Sequence, residues 1–172
     1  ATATLAVLET TDLHFNVRSY DYFKLAEDKT YGFERTATLI RAAREEFANT
    51  LLVDNGDTIQ GTALADYEAE VKPIPCTQQL SMYKAMGALR FDAGTLGNHE
   101  FNYGLPFLRQ ALSGARLPYV NSNVMLASEP AKHAFTPYVL LDRSFKTVQE
   151  LNRYRKEVSA TLISPAAGAQ PA

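Results

Sequence analysis

Thr50-Leu51-Leu52-Val53-Asp54-Asn55-Gly56-Asp57 is the stretch on which the fold turns. A short apolar run reads as a buried strand, and the polar turn after it ends on a carboxylate. Gly56 allows the sharp turn that projects Asp57 beyond the strand. Taken alone, Asn-Gly-Asp is ordinary β-turn composition.

Outward from this strand the same grammar repeats. Toward the N-terminus, Leu5-Ala6-Val7-Leu8 is a second buried strand that runs into Asp12-Leu13-His14. Between the two strands, Thr36, Leu39, Ile40, Ala43 and Phe47 recur at helical spacing, with Arg41, Arg44 and Glu45 on the other side. Asn49 is a reasonable stop, and the stretch holding Tyr20, Tyr22 and Phe23 reads as a loop. Toward the C-terminus, Leu80, Tyr83, Lys84 and Met86 suggest a helix after the Pro73/Pro75 loop. Phe91 to Leu96 reads as a third strand ending at Gly97-Asn98-His99-Glu100, and Pro106 suits the first turn of a further helix through Leu108 and Leu112. Tyr119-Val120 and Tyr138-Val139-Leu140-Leu141 are further strand candidates. Alternating strands and helices predict an α/β fold with a largely parallel sheet. In such sheets ligands gather beyond the carboxyl ends of the strands, where all three polar clusters fall.

The 172 residues are 46% hydrophobic and 21% charged, the composition of a globular chain. A net charge of -2 gives no footprint for polymeric nucleic acid, so that partner is not expected. No apolar run approaches the roughly 20 residues of a membrane span, so no membrane partner is expected either. Cys76 is the only cysteine, which excludes an intrachain disulfide. The opening Ala1-Thr2-Ala3-Thr4 suits a mature exported protein, and the expected location is periplasmic or extracellular.

Asp12-x-His14 offers an oxygen and a nitrogen ligand two positions apart. If the strand persists that far, its period of two puts both on one face, a pairing that suits zinc, manganese or iron. A lone Asp-x-His is more often an incidental surface pair. Asn98 offers a neutral amide oxygen and His99 an imidazole that titrates near physiological pH; a capping Asn beside a loop histidine would look the same. His133, in Pro130-Ala131-Lys132-His133-Ala134, reads as a surface residue in a loop.

In combination, Glu9-Thr10-Thr11-Asp12-Leu13-His14, Asp54 through Gly61 and Gly94 through Gly104 resemble the calcineurin-like metallophosphoesterases, specifically the 5′-nucleotidase family. Asn102-Tyr103-Gly104, Tyr20-Asp21-Tyr22 and Pro118-Tyr119-Val120-Asn121 look most like its bacterial 2′,3′-cyclic-nucleotide 2′-phosphodiesterase/3′-nucleotidase branch. The resemblance runs from about Leu5 to Arg143. It implies a β-sandwich flanked by helices, of which residues 1–143 would be the N-terminal part. It also implies two divalent metal ions (Zn, Mn, Fe or Co). Asp12 and His14 would bind the first, Asp57 would bridge both, and Asn98 would bind the second. His99 would sit over the phosphoryl group without ligating metal. The implied activity is hydrolysis of 2′,3′-cyclic nucleotides and 3′-nucleotides by a water activated between two metals. A 5′-nucleotidase or UDP-sugar hydrolase is an alternative, and a non-catalytic truncated fragment with weak metal binding is another.

The family pattern also has gaps here. Nucleotidases proper usually carry an aspartate three positions after the catalytic histidine, where this chain has Asn102. The family's later ligands, a histidine at another strand end and a Gly-His-x-His pair, match nothing among His14, His99 and His133. Residues 144–172 do not follow the family and read as a helix from Ser144 to Val158 and a frayed tail from Ser164. A half-sheet would expose an edge and an apolar face, so a missing C-terminal half or self-association is expected.

Overall fold

The computed structural model describes residues 2–75 and 77–151. Strand β1 (Ala6–Thr10) is followed by the small hairpin β2 (Tyr20–Asp21) and β3 (Ala26–Glu27), then α1 (Phe33–Glu46) and β4 (Thr50–Asp54). Next come α2 (Ala63–Asp66), which runs on into a π-helical turn (Tyr67–Val71), α3 (Ser81–Ala88) and β5 (Ala93–Thr95). A 3-10 turn (His99–Phe101), α4 (Gly104–Gly114), β6 (Tyr119–Val120) and the hairpin β7 (Met125–Leu126) and β8 (Glu129–His133) complete the order.

The main sheet runs β1-β4-β5-β6, and every neighbouring pair is parallel. Parallel neighbours need crossovers, and right-handed crossovers repeated in one direction stack their helices on one face. The core agrees. Phe33, Ala37 and Ile40 of α1, Met82, Tyr83 and Met86 of α3, and Leu108 and Ala111 of α4 form one cluster on Leu52. Leu52 is fully buried, whereas Val7 on the opposite face of the sheet is 61% exposed. Helices cover one face and leave the other open.

Several details of the sequence reading are corrected by the packing. Leu39 was expected inside but is 71% exposed. The inward row of α1 is Phe33, Ala37, Ile40 and then Arg44, whose guanidinium donates to the carbonyls of Leu89 and Arg90 just past α3. Those carbonyls lack helical partners, so a cation faces inward where polarity alone pointed outward.

The second correction concerns residues 138–141, which form no strand. Among the described residues nothing pairs with them, and Tyr138 and Leu140 are exposed. An apolar run becomes a strand only against an available edge. His133, expected in a loop, lies on β8, and every residue of that strand is exposed.

The third predicted strand is shorter than Phe91 to Leu96 because Asp92 is used for another purpose. Its backbone N–H and carboxylate bond to both backbone groups of Leu52, and Arg143 pairs with its other oxygen. Asn49 in turn exchanges hydrogen bonds with Lys146 at 2.7 and 2.8 Å. Residues 148–151 are helical. The remainder of the helix expected from Ser144, and the tail from Ser164, lie outside the described residues.

Candidate metal centre

The crevice forms where β1, β4 and β5 end side by side. Beyond the strands the loops keep pairing: Asp12 N–H donates to Gly56 O, His14 N–H to Asp57 O and Phe15 N–H to Thr58 O, at 2.8 to 3.0 Å. The strand itself stops at Thr10, so a continuing strand does not bring Asp12 and His14 together. They converge through left-handed turns. Asp12, His14, Phe15 and Asp57 have φ of 53°, 45°, 56° and 56°. That conformation costs roughly 1–2 kcal/mol per non-glycine residue and concentrates at functional sites.

His14 Nδ1 lies 3.0 Å from the Gln60 carbonyl, which can only accept, so Nδ1 carries the hydrogen. In the neutral imidazole the lone pair is then on Nε2, which faces Asp12 Oδ1 at 3.6 Å. Two acceptors face each other across that gap. Ligands roughly 2.1 Å from one tetrahedral cation lie about 3.4 Å apart, so the spacing and the donor types fit a shared divalent ion. A carbonyl holding the far nitrogen of a ligating imidazole is the usual supporting arrangement.

From β5 the Gly97–Glu100 turn closes the other side. His99 N–H donates to Asp57 Oδ1 at 2.8 Å, and Asn102 Nδ2 contacts His99 Nδ1 at 3.0 Å. The His14 and His99 rings meet edge to face at 4.9 Å. One ligand atom each from His14, Asp57 and His99 lies within 4.8 Å of the others, close enough to share an ion. Geometry alone therefore admits His99 to the ligand group, whereas the family resemblance reserves it for the phosphoryl group. Asn98 sits exposed at the rim, and its side chain makes no cap bond. His133 is on the separate hairpin.

Below the crevice is a layer the sequence reading assigned no task. Glu100 is fully buried, and its carboxylate accepts backbone N–H bonds from Asp57, Thr58, Ile59 and Gly97. Asp54 accepts the hydroxyls of Thr10 and Thr58, both at 2.6 Å. Burial, with a smaller push from Glu100, raises the Asp54 carboxyl to about 6 against those hydrogen bonds. The only available signal was position: both acids sit within or beside strand-end turns. Close glycines complete the support. A Cβ on Gly56 would lie 2.3 Å from Gly97 N, and one on Gly97 would lie 2.2 Å from Asp57 Oδ1.

A cleft of about 220 Å³ opens beside Asp12, against Tyr31, Gly32 and Phe33 at the start of α1.

Known proteins resemble this chain in sequence and fold. The chain is 48% identical over 146 residues to the 2′,3′-cyclic-nucleotide 2′-phosphodiesterase/3′-nucleotidase of Yersinia enterocolitica, covering 85% of this chain and 22% of that protein. It is 36% identical over 124 residues to a snake venom 5′-nucleotidase of Crotalus adamanteus, covering 70% of this chain and 20% of that one. The crystal structure of the calcineurin-like phosphoesterase YfkN from Bacillus subtilis superposes with a TM-score of 0.80 at 44% identity, over 85% of this chain and 44% of that chain. The chain thus spans about a fifth of the length of these curated relatives. The family model for calcineurin-like phosphoesterases matches residues 5–159, and the chain belongs to that family.

Proposed function

We propose that this chain supplies one wall of a two-metal phosphoesterase that hydrolyses 2′,3′-cyclic nucleotides and 3′-nucleotides. The observation that carries the reading is the convergence of His14, Asp57 and His99 from three strand ends, within 4.8 Å of one another. The names of relatives at 48% identity support the substrate class. In this reading Asp12 and His14 would hold one cation, Asp57 would be shared between the two, and Asn98 would offer a neutral oxygen to the second. When bound, divalent ions supply Lewis-acid polarisation of the phosphate and lower the pKa of a water.

The protein's own share is orientation and proton handling. His14 is fixed by Gln60, so Nε2 is the ligand nitrogen. His99 is fixed at its backbone by Asp57 and at Nδ1 by Asn102, so Nε2 meets the phosphoryl oxygens or the leaving oxygen. The reading carries with it a periplasmic or extracellular location, which fractionation of expressing cells checks.

The test is turnover of 2′,3′-cyclic AMP by the full-length protein with Mn²⁺ or Zn²⁺, beside His99→Ala. Undiminished turnover in the variant rejects the catalytic assignment. A second reading, 5′-nucleotidase or UDP-sugar hydrolase, draws on the likeness to the venom 5′-nucleotidase. Rates on 3′-AMP, 5′-AMP and UDP-glucose separate the two, and a preference for 5′-AMP or UDP-glucose would favour the second.

A further inference from the structure

Glu100 neither faces the crevice nor stands free. It is 0% exposed, and an interior carboxylate is tolerated only where hydrogen bonds replace its water. Here both oxygens are engaged twice. Oε1 accepts from Thr58 N–H at 2.6 Å and Ile59 N–H at 3.2 Å. Oε2 accepts from Gly97 N–H at 2.6 Å and Asp57 N–H at 2.8 Å.

Three successive amides can converge on one carboxylate only because the chain turns left-handed at Asp57 (φ 56°). That turn is unfavourable for a residue with a Cβ, so it persists only where surrounding bonds hold it. His99, one residue before Glu100, donates its N–H to Asp57 Oδ1. Residues 99 and 100 therefore grip Asp57 twice, one by its side chain and the other by its backbone.

We propose that Glu100 is the positioning residue of this centre: it fixes the carboxylate of Asp57 for divalent-cation binding and touches neither cation nor substrate. The proposal rests on the metal-centre reading above. Glutamine at this position keeps the shape but sets an NH₂ group against two N–H donors, which forces the turn at Asp57 to relax.

The experiment compares wild-type full-length protein with Glu100→Gln, using Mn²⁺ as the probe. Affinity is read by calorimetry and ion environment by electron paramagnetic resonance. Outer-layer partners of metal ligands typically matter by 10–100-fold, so Mn²⁺ affinity is expected to fall by about that factor and the bound-ion spectrum to change. Leu108→Ala, a core truncation on α4 that also destabilises, should leave both readouts as in wild type. If Glu100→Gln loses stability yet binds Mn²⁺ with wild-type affinity and spectrum, Glu100 is merely structural and the proposal fails. A wild-type protein that takes up no Mn²⁺ removes the metal centre itself, and the proposal with it. Should the variant not fold, amide exchange in metal-free wild type decides. The N–H groups of Asp57, Thr58 and Ile59 are expected to be protected, and rapid exchange at them would overturn the assignment.

Discussion

The turn at Gly97–Asn102 and the hairpin at Met125–His133 are both short polar excursions, and each carries a histidine near a glutamate. In the turn, Glu100 is buried and accepts four backbone N–H bonds, and His99 is anchored to Asp57 and Asn102. In the hairpin, Glu129 pairs at 3.4 Å with Lys132 while both side chains are about three-fifths exposed, and His133 is exposed on its strand. The residue types are alike, but the backbone engagement is not. A histidine becomes useful for chemistry when the chain on either side of it is already fixed, because the entropy of orienting it has been settled by folding.

The sharpest way to break this comparison is to remove each histidine in turn. His99→Ala should lower kcat on 2′,3′-cyclic AMP by about 10²–10⁴, the usual contribution of a positioned acid or base. His133→Ala should leave turnover unchanged and stability within about 0.5 kcal/mol. Equal effects would erase the distinction.

The buried acids give the next largest effect. Asp54 has its folded pKa raised from 3.8 to about 6, so between those values the folded state binds more protons than the unfolded one. Its contribution is therefore fully present below about pH 4 and is lost as pH rises through about 6, on the order of 3 kcal/mol. Urea melts of metal-free protein across that window should show this fall in wild type relative to Asp54→Asn. Parallel pH profiles would reject it.

Two glycines sharpen the contrast between clamped and free backbone. A Cβ at Gly97 strikes Asp57 Oδ1, so Gly97→Ala should cost about 1–3 kcal/mol and weaken Mn²⁺ binding. Gly87, within α3, has nothing near its Cβ position, and Gly87→Ala should stabilise by about 0.5–1 kcal/mol with no change in metal affinity. Thermal melts beside Mn²⁺ titrations read both. The smallest effect belongs to the hairpin: Lys132→Ala breaks an exposed ion pair and should shift stability by less than about 1 kcal/mol, as chemical denaturation would show.

Much of the frame was legible because local patterns and packing agreed. The strands read from the apolar runs at Leu5–Leu8 and Thr50–Val53 lie at Ala6–Thr10 and Thr50–Asp54, and the helices from Phe33 and around Pro106 are both present. Reading failed where a partner decided the outcome. Arg44 turned inward because carbonyls past α3 needed a donor. Residues 138–141 stayed out of a sheet because nothing pairs with them among the described residues.

By itself the sequence determined the alternation of strands and helices and the parallel sheet. These follow from side-chain period and from the geometry of crossovers. Only the tertiary structure decided that Asp12, His14 and Asp57 sit in left-handed turns, that Gln60 fixes the tautomer of His14, and that Glu100 lies under the loops. Each of those depends on a hydrogen bond between residues distant along the chain, and no local pattern encodes which donor will meet which acceptor.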